Sequence, residues 1–75
     1  MRPPKRVARE LGRAIRQIRL KRHLTQQEVA DRCGLDIGYV GGIERGQRNP
    51  TIGVIHSLAT ILRVRASELL RRAKL

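Results

Sequence analysis

The sequence predicts an all-α fold, five short helices on brief connections. Three observations carry that prediction. Apolar residues recur at helical spacing along the chain. Helix-capping and helix-stopping residues fall between those stretches. The apolar side chains are almost all Leu, Ile, Val and Ala, with Tyr39 the one aromatic, which suits packed helices.

Met1 to Lys5, with Pro3, Pro4 and two basic residues, reads as an extended, mobile arm. Val7, Leu11, Ala14, Ile15 and Ile18 then share one face, and Arg6, Arg9, Arg13 and Arg16 the opposite one. That pattern predicts helix 1 from about Val7 to Lys21, amphipathic and basic outside, with Leu20 off the apolar stripe. Thr25-Gln26-Gln27-Glu28 reads as a capping box. It opens helix 2, which buries Val29, Ala30 and Cys33 and stops at Gly34. Asp36 caps helix 3, which runs from Ile37 to Arg45 with Val40 and Ile43 inward and ends at Gly46. Thr51 caps helix 4, whose inward residues read as Ile52, Ile55, Leu58, Ala59 and Leu62. Helix 5 spans about Ala66 to Ala73, anchored by Leu69 and Leu70.

Composition narrows the function. The chain has 75 residues, room for one domain. One cysteine permits no internal disulfide, and with two histidines it cannot supply a four-ligand zinc site. No apolar run approaches the roughly 18 residues of a membrane span, and the basic start lacks the apolar segment of a signal peptide. A reducing cytoplasm is therefore the expected compartment. Seventeen Lys and Arg against six Asp and Glu give a net charge of +11. Such a balance points to a polyanionic partner, nucleic acid first and an anionic membrane surface second. A single aromatic argues against RNA modules that stack bases on Phe and Tyr.

Thr25 to Arg45 holds two short helices around a tight turn at Gly34-Leu35-Asp36, the spacing of a helix-turn-helix. Ala30 is small where the helices approach. Gly34 permits the turn. Leu35 and Val40 plug the crevice behind the second helix, which is held out so that its N-terminal end can enter a major groove.

These residues resemble the lambda-repressor-like, Cro-type (XRE-type) helix-turn-helix regulators. The resemblance rests on Ile15-Arg16-Gln17-Ile18-Arg19, Leu24-Thr25-Gln26-Gln27-Glu28-Val29-Ala30, Gly34-Leu35-Asp36 and Tyr39-Val40. It continues through Ile43-Glu44-Arg45-Gly46, Arg48-Asn49-Pro50-Thr51 and Ser67-Glu68-Leu69-Leu70, so that it covers about Leu11 to Leu70. The short chain with Tyr39-Val40-Gly41-Gly42-Ile43-Glu44-Arg45 also looks like the small controller proteins of restriction–modification systems. The implied organisation is a basic arm over 1–6 and a DNA-binding and dimerisation domain over 7–75.

The resemblance implies roles for particular positions. Gln26 is similar to a glutamine that contacts phosphate or base, and Thr25 would cap helix 2 and touch the DNA backbone, with Gln27 beside them. Ile37, Gly38, Gly41, Gly42 and Arg45 match the base-reading arc of helix 3. Arg48 and Asn49 match loop residues that grip the backbone or a base edge. Tyr39 is similar to a tyrosine that reaches phosphate, and packing is its alternative role. Arg19 and Glu44 match a structural ion pair. Relatives dimerise through helices 4 and 5, which makes Val54, Ile61, Val64, Ala66 and Leu70 the candidate interface; filling a thin core is the alternative.

The sequence also departs from the family. Gly38, Gly41 and Gly42 stand where many relatives carry side chains that bond bases, at about 1 kcal/mol of helix stability each. Ile37 can meet a thymine methyl. Specificity then leans on Arg45, Arg48, Asn49, Gln26 and DNA deformability. Arg63 and Arg65 replace the Gly and Ser usual before helix 5, which weakens that cap. The basic stripe of helix 1 reads equally as a solvated face or as a DNA flank. Cys33 reads as a buried thiol, and His23 and His56 as surface residues.

The expected function is regulation of transcription, including that of its own gene, by a homodimer that binds a palindromic or pseudo-palindromic operator in double-stranded DNA sequence-specifically. Alternatives are a restriction–modification controller, or an antitoxin that binds a toxin protein. RNA polymerase or a toxin are the further partners these readings bring. No enzyme activity, cofactor, metal, small-molecule ligand or membrane is expected.

Overall fold

The structure, a computed structural model, describes residues 4–75. Most of the expected arm, residues 1–3, lies outside the described residues. Five helices follow: α1 (Lys5–Lys21), α2 (Gln26–Cys33), α3 (Ile37–Glu44), α4 (Ile52–Leu62) and α5 (Ala66–Arg72). Among the described residues there is no strand.

Local chemistry explains most boundaries. Pro4, with φ −62° and ψ 134°, stands as the N-cap of α1, and its carbonyl accepts from Val7 N–H at 3.1 Å. Helix 1 therefore starts at Lys5 and not at Val7: Lys5 and Arg6 are helical and do not extend the arm. A proline at the boundary brings the φ a helix entry needs. The Thr25 hydroxyl accepts from Glu28 N–H at 3.0 Å while Thr25 N–H donates to the Glu28 carboxylate at 2.9 Å, so the capping box at α2 is complete. Those bonds hold the Glu28 carboxyl below its ordinary pKa, the backbone bond from Thr25 contributing most. A lowered carboxylate pKa stabilises the fold at neutral pH, and the contribution fades as pH falls through that lowered value. Asp36 and Thr51 cap α3 and α4, accepting from Tyr39 N–H at 3.3 Å and Val54 N–H at 3.1 Å. Gly34 and Gly46 end α2 and α3 at φ +67° and +75°, conformations that cost a glycine little.

The helices pack in a connected order. α1 runs through the centre, with α3 against one part of it and α5 against another; α2 joins α3 to α4, and α4 closes on α5. The core is Leu11, Ile15, Ile18, Val29, Ala30, Val40, Ile43, Leu58, Ala59, Leu62, Leu69 and Ala73. Several expected core positions are corrected. Ile52 is 86% exposed, because it occupies the first turn of α4, beyond the edge of the core. Ala8 is buried where Val7 is only partly covered, and Cys33 is half-buried. Leu20 is exposed, as the stripe predicts.

Gly12 has a role that the helical pattern does not signal. A Cβ on it would overlap the carbonyl oxygen of Ile43 and lie 2.7 Å from that of Glu44. Only a residue without a side chain lets α1 approach the C-terminal end of α3 this closely.

The α4–α5 turn is held less well. Arg63 adopts the left-handed conformation, φ 62°, and Arg65 caps α5 with no side-chain bond. Arg22 reaches across to compensate: its Nε donates to the Leu62 carbonyl at 3.0 Å and its Nη2 to the Arg63 carbonyl at 3.3 Å. Left-handed backbone costs a non-glycine residue about 1–2 kcal/mol. Arg63→Gly is therefore expected to stabilise the chain by about 1 kcal/mol and raise its melting temperature by roughly 4–8 °C. A calorimetric scan showing no rise would mean that the arginine stem contributes as much as the strain costs.

Candidate nucleic-acid interface

The helix-turn-helix is built as its residue types require. Ala30 and Val40 meet in the core, both fully buried. Leu35 N–H donates back to the Ala30 carbonyl at 2.8 Å across the Gly34 turn, and the Leu35 side chain packs on the core edge. These contacts set the angle between α2 and α3.

A polar network then fastens that pair to α1. Arg19 Nε donates to Glu44 Oε2 at 2.6 Å, and its Nη2 donates to Oε1 at 3.0 Å. Its Nη1 donates to the Leu24 carbonyl at 2.8 Å. Gln26 Nε2 donates to Glu44 Oε1 at 3.0 Å. Arg19 is 6% exposed and Glu44 8%. Among the described residues, no buried side-chain nitrogen or oxygen lacks a hydrogen-bond partner. The paired fork is geometrically specific, so the network fixes where α3 ends relative to the start of α2.

The candidate DNA-contact residues gather on one side of this unit. Thr25, Gln27, Ile37, Gly38, Arg45, Arg48 and Asn49 are exposed. Gln26 is only partly so, because its amide nitrogen is engaged by Glu44; its Oε1 lies 3.6 Å from the Cβ position of Gly41. Gln27 bonds Asp31 at 2.8 Å. Tyr39 packs against the core while remaining partly exposed.

Gly41 and Gly42 differ from the sequence expectation. They are buried, not open backbone on a reading face. The cover is arginine: Arg45 Nη1 lies 2.9 Å from the Cβ position of Gly41, and Arg48 Cγ lies 2.9 Å from that of Gly42. The two glycines form a floor on which two arginine side chains lie flat against α3. Arg45 is steadied further by its Nε donating to Gln47 Oε1 at 3.1 Å. Gln47 was not legible as a site residue, since nothing in a polar loop marks which side chain will hold an arginine.

The proposed dimer residues occupy the other part of the molecule. Val54, Ile61, Val64, Ala66 and Leu70 are all part-buried, and Val54, Val64 and Ala66 pack against the core. Ile52 is the more exposed apolar neighbour on α4. Burial pushes the Cys33 thiol up from its ordinary value, which keeps it protonated at neutral pH. Among the described residues no cluster of His, Cys, Asp and Glu could hold a metal ion. None of the helices described is long and apolar enough to cross a membrane.

The sequence pattern of the Helix-turn-helix family matches residues 15–69. An HTH-type transcriptional regulator of Sinorhizobium fredii, y4dJ, is 39% identical over 59 residues, which are 79% of this chain and 77% of that protein. Among solved structures, the restriction–modification controller protein C.AhdI of Aeromonas hydrophila is 42% identical with a TM-score of 0.80, over 83% of this chain and 94% of that one. The clp gene regulator ClgR of Corynebacterium glutamicum superposes with a TM-score of 0.87 at 26% identity, over 96% of this chain and 74% of the other.

The Arg19–Glu44 network carries a direct expectation. Glu44→Ala leaves a buried guanidinium without its counter-charge and releases Gln26. The expected loss of stability is about 3–5 kcal/mol, read by urea unfolding. A loss below about 1 kcal/mol would show that Arg19 swings out to solvent and that the pair does not hold the helices.

Proposed function

The chain belongs to the helix-turn-helix family of transcriptional regulators, and on that premise we propose that it binds a two-fold symmetric operator in double-stranded DNA as a homodimer. One observation carries the reading. The exposed side of α3 presents Ile37, and Arg45 and Arg48 from just beyond its end lie over Gly41 and Gly42, on a helix whose position the Arg19–Glu44–Gln26 network holds.

The net charge of +11 captures the duplex through its phosphates and makes binding salt-dependent. The N-terminal end of α3 then enters the major groove. Ile37 meets a thymine methyl, and the Arg48 fork offers two parallel donors to guanine O6 and N7. Thr25, Gln26 and Gln27 at the start of α2, with Asn49 beyond α3, contact the backbone and set the register. So few base-reading side chains leave part of the specificity to sequence-dependent DNA shape.

Dimerisation follows from reach. An eight-residue helix is about 12 Å long and covers only a few base pairs. Two copies about 34 Å apart read successive major grooves on one face of the duplex. The part-buried apolar residues of α4 and α5, Val54, Ile61, Val64, Ala66 and Leu70, with Ile52 added, supply the surface for that pairing. Occupancy of its own operator, set by protein concentration through dimerisation, gives the regulator a simple feedback.

A restriction–modification controller is the second reading, favoured by the 42% identity to C.AhdI. A methyltransferase or restriction endonuclease gene beside the coding sequence supports it; its absence there returns the first reading.

The test is a binding titration on duplex DNA from just upstream of the chain's own gene, against a scrambled duplex of equal length, at two salt concentrations. A tight, cooperative complex on the native duplex alone is expected. Arg48→Ala should lose about 1–3 kcal/mol on that duplex, and an equal loss on scrambled DNA would reduce Arg48 to a phosphate contact. Ile61→Glu should give a monomer by light scattering. A persistent dimer would move the interface off this face.

A further inference from the structure

The basic stripe of α1 divides into two edges. Gly12 marks where α1 crosses α3. At 100° per residue, Lys5, Arg9 and Arg16 fall within about 60° of Gly12, on the side of α3, whereas Arg6 and Arg13 fall about 100–120° away. All five side chains are exposed, so burial does not separate them. Their neighbours do. Lys5 and Arg9 form one wall of a groove of about 510 Å³ whose other wall is Arg45, Gly46, Gln47 and Asn49.

This groove has the features of an anion site. Gly46 lets the two walls close together: a Cβ there would lie 2.6 Å from Arg9 Cγ, so only glycine lets the Arg9 stem cross the turn after α3. Gln47 Oε1 holds the Arg45 guanidinium in place at 3.1 Å. Among the described residues no acidic side chain lines the groove. Glu10, next to Arg9 in sequence, lies 3.9 Å from Lys74 instead.

We propose that this groove is a phosphate clamp, in which Lys5 and Arg9 grip one phosphodiester of the duplex together with Arg45 and Asn49. The proposal rests on the DNA-binding reading above and adds two contact residues to it. Lys5 and Arg9 precede the segment 15–69 that matches the family pattern, so the helix-turn-helix itself does not assign them. A lysine supplies a mobile point charge, an arginine a planar fork of donors, and an asparagine amide a further donor. That set suits the unesterified oxygens of a phosphodiester. The groove adjoins the C-terminal end of α3, so a phosphate held there flanks the base pairs that α3 reads. The clamp positions the protein and carries no sequence information.

The experiment compares two double variants that each remove two positive charges and keep much of the stem, Lys5→Gln with Arg9→Gln, and Arg6→Gln with Arg13→Gln. Each is titrated with the upstream duplex and the scrambled duplex over a series of salt concentrations, after its melting temperature has been compared with the parent chain. For the first pair, the slope of log affinity against log salt is expected to fall by about 0.9, the value for one phosphate. Affinity should fall about three- to tenfold on both duplexes, and the second pair should leave the slope nearly unchanged. Equal slopes for the two pairs would overturn the clamp in favour of diffuse attraction. A loss confined to the upstream duplex would overturn it in favour of base reading. If Arg9→Gln alone lowers the melting temperature, Lys5→Gln as a single variant carries the same comparison against Arg6→Gln. Inorganic phosphate that saturates the Gly46 and Gln47 amide shifts at micromolar concentration would reassign the groove to free phosphate. A parent chain that binds both duplexes equally while the slopes still divide keeps the clamp and removes the operator reading. A parent chain that binds neither removes both.

Discussion

The buried pair of Arg19 and Glu44 is the interaction on which the rest of the molecule depends. Burying two charges costs several kcal/mol per ion, and a paired geometry must repay it. Here the repayment is spread over four bonds, from Arg19 Nε, Nη1 and Nη2 and from Gln26 Nε2. Those bonds join α1, the α1–α2 connection, α2 and α3 at one point. An apolar trio could fill the same volume, but it would not specify which ends of the helices meet. The polar network therefore serves position more than stability: it fixes the α3 terminus against the start of α2.

That fixation matters because α3 is a poor helix by itself. Gly38, Gly41 and Gly42 occupy three of its eight positions, and each costs about 1 kcal/mol relative to alanine. What holds α3 is tertiary: its Asp36 cap, the burial of Val40 and Ile43, the close crossing at Gly12, and Glu44 at its end. The glycines have a use in return. Without side chains at 41 and 42, Arg45 and Arg48 lie along the helix surface. Arg45 Nη1 and Arg48 Cγ each lie 2.9 Å from where a Cβ at 41 or 42 would sit, so alanine at either position would displace an arginine side chain.

The same economy shapes the charge. The chain carries a net charge of +11. The structure divides it among different tasks. Arg19 is structural, Arg22 ties the end of α4, Arg71 and Arg72 pair with Glu68, and Arg45, at the C-cap of α3, lines one groove with Lys5 and Arg9 of α1. Electrostatic attraction needs only the sum; docking needs this partition.

The sequence by itself determined the five helices, most of their boundaries to within two residues, and the turn between α2 and α3. Caps, glycine stops and apolar period are local, and each acts within a few residues. The resemblance also marked Arg19 with Glu44, and the structure contains that pair. Other features were decided only by the tertiary structure. Gly12 is essential because a carbonyl 31 residues further on, at Ile43, approaches it, and no local pattern encodes that approach. Gly41 and Gly42 read as bare backbone until the arginines four and six residues further on lie over them. Ile52 reads as core until the core ends short of it. Arg6 and Arg9 look alike along the chain, and only the crossing of α1 over α3 tells them apart. Short-range preferences choose the elements; which surfaces those elements cover follows from how they cross.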